Sequence, residues 1–344
     1  MSLNATQPSQ QQPLTYVELI QQNGGQHTLA MWLIMGEKCA LSSIGILFNA
    51  ILVAATLKSK NLRSMCNLLI ASDSAFLALY QLNALIFFLL PIFGTIFVPF
   101  WLCFWLQLVP YFGVSMSFSL TFQIGLERLT NVLFPIWSKN GNSKRFHAIL
   151  LLLSVVSNCY LIWLQYEMVD GNNSMVFCTA SSVSALGGLF HTIAFNRAII
   201  LHILLVVIYI AIYVILKFKK ENQHFSKSIF RSLLFVVVLE MIGWFPTIFL
   251  LPFLNSAQFS PITTTYISTG FTTVSSCIMA SANAPTLYYF SHLYRVEINA
   301  LLVSIGIKKS AGTVQQQQQN TNPRIPLNVV TKNQQLDRLK SQTK

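Results

Sequence analysis

Apolar and polar residues alternate along this chain in long blocks. Seven apolar runs, roughly 31–57, 67–90, 100–130, 147–166, 198–217, 229–253 and 262–290, each reach the ~20 residues that a helix needs to cross a ~30 Å hydrocarbon layer. Short polar turns separate them and, together with the tail, collect most of the charges. A helix in lipid satisfies its own backbone hydrogen bonds, so the pattern predicts an all-α membrane protein, a seven-transmembrane helix bundle. After the last run, YFSHLYRVEINALLVSIGIKK has the spacing of a short amphipathic helix that lies along the inner leaflet. The chain then divides into an N-terminal segment at 1–30, the bundle at 31–290, the amphipathic helix at 291–307 and a disordered tail at 308–344, where QQQQQNTNPR is of low complexity.

Composition agrees with the block pattern. Of 344 residues, 53% are hydrophobic and only 9% charged; soluble domains carry about 25% charged residues. The N-terminal segment is polar and lacks a basic start followed by an apolar stretch, so the first span is expected to act as the targeting signal.

The formal net charge of +12 would by itself admit nucleic acid as a partner, but its distribution points to a membrane. Lys58, Lys60 and Arg63 follow span one, Lys139, Lys144 and Arg145 follow span three, and Lys217, Lys219, Lys220, Lys227 and Arg231 follow span five. Arg295, Lys308, Lys309, Arg324, Lys332, Arg338, Lys340 and Lys344 follow span seven, against Lys38 and Arg197 on the other side. Cytoplasmic loops carry the excess of Lys and Arg, which puts the N-terminus outside and the C-terminus in the cytoplasm. Glycosylation sequons at Asn4 and Asn172 both fall on the outer side of this arrangement.

Two cysteines stand apart from those in or beside the spans. Cys103 opens span three and Cys178 lies in the second external loop, so both face an oxidising compartment and can form a disulfide; the alternative is two unpaired thiols. From Cys103, twenty-five residues of helix, ~37 Å, lead to Glu127 and Arg128. That length places the two charges at the inner membrane boundary, where adjacent opposite charges neutralise each other.

With these residues placed, the chain resembles the rhodopsin-like seven-transmembrane receptors coupled to G proteins. Glu127-Arg128-Leu129 is similar to the family's Asp-Arg-Tyr signature, with leucine in the aromatic position. Asn49 resembles the asparagine of helix one and Asp73 the buried aspartate of helix two. Trp244-Phe245-Pro246 resembles the Trp-x-Pro switch of helix six. Ala284-Pro285-Thr286-Leu287-Tyr288 resembles the Asn-Pro-x-x-Tyr of helix seven, with alanine in the asparagine position and Asn283 one residue earlier. Within that superfamily, GLERLTNVLFPIW and SKNLRSMCNLLIASD look most like the nematode serpentine chemoreceptors of the Srsx class.

The resemblance implies a chemosensory receptor of the plasma membrane, sensory cilia included, that takes an odorant- or pheromone-like small molecule from outside and activates a heterotrimeric G protein. It implies partners for Asp73 in Asn49, Ser281 and Asn283, with water or sodium; a protonated aspartate in a structural network is the alternative. Physical chemistry stands beside these roles. Pro246 and Pro285 each remove an amide donor and let their helices bend, and Trp244 sits next to the first bend. Glu240 lies one turn before Trp244 on the same face, where a carboxyl group points to the interior as a signalling group or as a neutral, hydrogen-bonded one. Helix six has Ser226, Lys227 and Arg231 in its first inner turn and no acid there, so Glu127 is expected to be the main restraint on Arg128.

Helix spacing nominates Pro110, Tyr111, Val114 and Ser115 on span three, Trp244, Thr247, Ile248 and Leu251 on span six, and Gly270, Val274 and Ile278 on span seven as the lining of an outer ligand cavity. Such a lining is mostly apolar with a few hydroxyls, as small-molecule sites are. All of these residues equally suit bundle packing. Pro110 stands where the amine receptors carry an aspartate, and span seven has no lysine for retinal, which excludes an aminergic receptor and an opsin. The six histidines show no metal-ligand spacing, and no HExxH, phosphate loop or nucleophile elbow occurs, so no cofactor and no enzyme activity are expected. The rival reading is a seven-span carrier or channel, a class that often shows internal repeats; none is visible here.

Overall fold

A computed structural model describes residues 29–95, 97–136, 142–169, 175–176, 178, 188–218, 238, 242–243, 250, 253–254, 256–257 and 261–306. Its long helices are α1 (Leu29–Lys58), α2 (Met65–Ile92), α3 (Phe100–Leu133), α4 (Asn142–Val169) and α5 (Gly188–Phe218). Helices α6 (Pro261–Ser281) and α7 (Asn283–Phe290) together make the seventh expected span, and α8 (His292–Ser304) follows. Among the described residues, five helical segments are long and apolar enough to cross a membrane: α1, α2, α3, Ser143–Glu167 of α4 and Asn196–Ile215 of α5. Almost all of span six lies outside the described residues, as do the N-terminal segment before Leu29 and the tail after Gly306.

Local chemistry sets the helix ends. Ser64 caps α2 by accepting from the Asn67 amide at 3.4 Å. Helix α3 stops at Leu133 because Pro135 follows: proline cannot extend the amide ladder and drives the residue before it, here Phe134 at φ −127°, ψ 64°, out of helical geometry. The seventh span breaks for a related reason. Pro285 has no amide to give Ser281, and at Ala282 the ladder tightens, its N–H reaching the Met279 carbonyl at 3.0 Å.

Packing is inverted relative to a soluble bundle. On α4, Ile149, Leu152, Leu153, Val156, Tyr160 and Trp163 recur at helical spacing and are all exposed; on α5, Ile200, Ile203, Val207, Ile210 and Val214 do the same. Such apolar stripes belong in hydrocarbon. The buried faces instead carry polar groups, among them Asn49, Asp73, Gln81, Ser117, Asn158 and Asn283.

Helices approach closely where side chains are small. A Cβ on Gly113 of α3 would sit 2.6 Å from the Phe76 carbonyl oxygen and 2.8 Å from the Tyr80 nitrogen of α2, so glycine allows backbone to meet backbone there. At one end of the bundle, β1 (Val98–Pro99) pairs antiparallel with β2 (Met175–Val176), Val98 opposite Val176. Beside this ribbon Cys103 and Cys178 form a disulfide with Cα atoms 5.4 Å apart. Val98, Phe100, Phe104, Val169 and Val176 bury themselves around it.

Candidate functional site

Among the described residues, three polar clusters lie inside the bundle. The first crosses α1, α2, α3, α6 and α7. Ser117 donates its hydroxyl to Asp73 Oδ1 at 2.5 Å, and Asn283 donates its amide to Asp73 Oδ2 at 2.9 Å and to the Ser74 hydroxyl at 3.4 Å. Asn49 was expected to face Asp73. It bonds instead to the Ala280 carbonyl at 2.8 Å and to Gln81 Oε1 at 3.3 Å. Ser281, also expected beside Asp73, accepts from Gln81 Nε2 at 2.9 Å. The expected network is therefore two linked sets, because Gln81 lies two turns beyond Asp73 on the same face of α2 and takes the α1 and α6 partners first.

This geometry also accounts for the displaced asparagine of helix seven. The helix break at Ala282 sets Asn283 as the first residue of α7, fully turned toward α2 and buried. The side chain reaches the aspartate from a position one residue earlier than the motif places it.

The second cluster lies at the far end of α3. Glu127 is buried and its Oε2 stands 3.8 Å from Nε of Arg128, whose side chain is 24% exposed. Asn131, one turn on, donates to Glu127 Oε1 at 2.6 Å and holds the carboxylate in place. Cys66 of α2 adjoins both charges, and His147 of α4 is within electrostatic reach of Glu127. The amphipathic helix meets the same region: Tyr294 lies near Thr56 and Arg128, and Asn61 donates to Glu297 at 2.9 Å. Burial pushes the Tyr294 hydroxyl well above its ordinary pKa.

The third cluster joins α3, α4 and α5. Arg197 donates from Nη1 to Asn158 Oδ1 at 2.8 Å and to Ser115 at 3.5 Å, and from Nη2 to Ser119 at 2.6 Å. Ser115 also donates to Asn158 Oδ1, and Gln123 donates to Ser154 at 3.0 Å. Sequence alone counted Arg197 as an external charge; it is in fact partly buried among these neutral oxygens. No sequence signal marked it, because the apolar run of span five reads from 198 and only the structure shows α5 beginning at Gly188, nine positions before Arg197.

Of the residues nominated for an outer cavity, Pro110 and Ser115 are buried, while Tyr111, Val114, Gly270 and Val274 are partly buried. Ile278 is 52% exposed and faces away from the interior, which removes it from the lining. Pro285 and Tyr288 lie on the more exposed side of α7. Glu240, Trp244, Pro246, Thr247, Ile248 and Leu251 lie outside the described residues, as do Asn4 and Asn172. Gly243, just before Trp244, packs closely on α6: a Cβ there would collide with the Met279 side chain.

The apolar outer stripes, the polar interior and the stapled ribbon define a multi-pass, all-α membrane protein. The family model described as serpentine type 7TM GPCR chemoreceptor Srsx matches residues 42–302, and the chain belongs to this family of G-protein-coupled chemoreceptors. None of the curated proteins matches it.

Proposed function

We propose that this chain is a plasma-membrane chemosensory receptor, present in sensory cilia, that binds an external odorant- or pheromone-like small molecule and activates a heterotrimeric G protein. Its N-terminus, bearing a glycan on Asn4, and the loop after span four, bearing one on Asn172, are extracellular, and its tail is cytoplasmic. The ligand settles in the outer half against Tyr111, Val114, Ser115, Thr247, Ile248, Leu251 and Val274. Differential affinity for two forms of the bundle supplies the driving force.

The observation that carries this reading is the Glu127–Arg128 pair held by Asn131. Glu127 restrains Arg128 in the resting form; activation frees the guanidinium for the G protein. Asp73 and Asn49, the prolines Pro246 and Pro285, and Trp244, Glu240 and Tyr288 transmit the change between the two ends. Membrane lipid is the third partner, against the apolar stripes of α4 and α5.

The test is ligand-dependent G-protein dissociation in cells that express the receptor, with flux of the same compound measured in parallel. Arg128→Ala should abolish coupling and leave ligand binding within about threefold of the parent. Full coupling by that variant, or flux without G-protein activation, would overturn the reading.

A further inference from the structure

We propose that Arg197 anchors an anionic group on the ligand, so that the compounds this receptor takes are small organic acids bound through a carboxylate. The proposal rests on the receptor reading above and narrows its ligand class.

The guanidinium reaches inward from α5 and, among the described residues, meets only neutral acceptors: Asn158, Ser115 and Ser119. No described carboxylate stands within ion-pair distance of it; the described ion pair of the molecule is Glu127–Arg128, in a separate cluster. A cation inside a membrane bundle is costly, and charged residues there ordinarily pair with an opposite charge. Three hydroxyl or amide oxygens orient the group without neutralising it. If the only task were to tie α3, α4 and α5 together, a glutamine would serve without the cost of a charge.

The hydrogen-bond inventory fits an absent fourth partner. Arginine has five N–H donors, and the three bonds described use two from Nη1 and one from Nη2. Among the described residues the Nε–H and one Nη2 hydrogen have no acceptor, enough for the two-point contact that makes arginine the preferred partner of carboxylates. Beside this edge the α3 face presents Tyr111, Ser115 and Ser119 at successive turns, and Tyr111 interacts electrostatically with Arg197. Tyr111 and Ser115 are also on the face that helix spacing turns toward the outer cavity. A carboxylate on Arg197 would thus carry its apolar remainder past Tyr111.

Lys38, the other described cation in the outer half of the bundle, differs. Its ammonium lies over the Phe87 ring at 5.0 Å, between α1 and α2, which makes it an internal control.

The test uses the full-length receptor in lipid nanodiscs and a panel of aliphatic and aromatic monocarboxylic acids, each beside its primary amide. The expected result is that some acids raise the midpoint of thermal unfolding while their amides do not. Arg197→Gln should weaken the acid at least tenfold, Arg197→Lys should restore part of the affinity, and Lys38→Gln should leave it unchanged. Acids that shift the receptor no more than their amides, or an acid effect that survives Arg197→Gln, would overturn the proposal. The comparison of acid with amide needs no variant, so a failure of Arg197→Gln to fold leaves the test intact. An acid that binds through Arg197 without activating any G protein would sink the signalling reading and keep this one.

Discussion

Asn283 donates its side-chain amide to Asp73 at 2.9 Å, joining α7 to α2 across 210 positions of chain. The bond exists because the break at Ala282 turns Asn283 into the bundle, and both residues are buried there. Ser117 holds the other carboxyl oxygen, so the two oxygens of Asp73 report on two different helices.

Removing the Asn283 amide leaves a buried carboxyl oxygen short of its donor, which costs about 1–3 kcal/mol. Asn283→Ala should therefore lower the thermal unfolding midpoint by several degrees. Asp73→Asn keeps the volume and a hydrogen-bonding group, so it should change signalling efficacy more than surface expression. Surface labelling and G-protein dissociation, measured on the same cells, check both.

Glu127→Gln keeps the hydrogen bond to Asn131 and deletes the charge that faces Arg128. Basal, ligand-free signalling should rise above that of the parent receptor. Asn131→Ala should act in the same direction and more weakly, because the carboxylate loses its support but keeps its charge. Dose–response curves with the ligand-free baseline included would show it, and a baseline that falls in both variants would contradict the latch.

The Cys103–Cys178 bond closes a loop of 75 positions. Cys103→Ser should cost about 2–4 kcal/mol and lower the yield of folded receptor at the cell surface. The double variant with Cys178→Ser should be no worse than either single one, since all three lack the same bond.

Gly113 has backbone, not flexible side chain, within 2.6 Å of where a Cβ would be. Gly113→Ala must part α2 from α3 and should destabilise the receptor by about 1–3 kcal/mol, as overpacking of a tight interface does. An unfolding midpoint unchanged by this variant would mean that the two helices separate readily.

Tyr294 gives a pH dependence with a definite sign. Burial raises its folded-state pKa above the unfolded value of about 10, so the neutral phenol is the form that the packed state favours. Its contribution is complete below that value and is lost as pH rises through the higher folded one. Between pH 6 and 9 this residue should add no slope to stability, and Tyr294→Phe should remove a loss that sets in as pH rises above about 10. Unfolding midpoints of parent and variant, measured from pH 6 to about 11, check it.

Much of this was legible in the sequence, and the limits are physical. Apolar run length gave the five spans that the described residues contain to within a few positions, because the bilayer fixes helix length. The Cys103–Cys178 bond followed from two thiols on one side of the membrane. Partner choice did not follow: helical periodicity shows that Asn49, Asp73 and Ser281 face inward, but Gln81 intercepts two of them, and only the relative rotation of α1, α2 and α6 decides that. Arg197 was misjudged for the opposite reason. A charge near a span's end reads as a surface residue until the helix is seen to begin at Gly188, nine positions before it.

The exposed stripe on α4 has a consequence for how the receptor lives in its membrane. Only 17% of its most apolar window is buried inside the protein, against 50% for α3. Acyl chains thus face most of the surface of α4, and its hold on the described bundle comes through the polar contacts of Gln123 with Ser154 and of Asn158 with Ser115 and Arg197, and through the rings of Phe104 and Trp105 against Tyr166. Cells that change the length or saturation of their lipids will press on this helix before any other described one of comparable length, and through Asn158 that pressure reaches the guanidinium of Arg197. The tuning of the receptor is in this sense shared with the fat in which it sits.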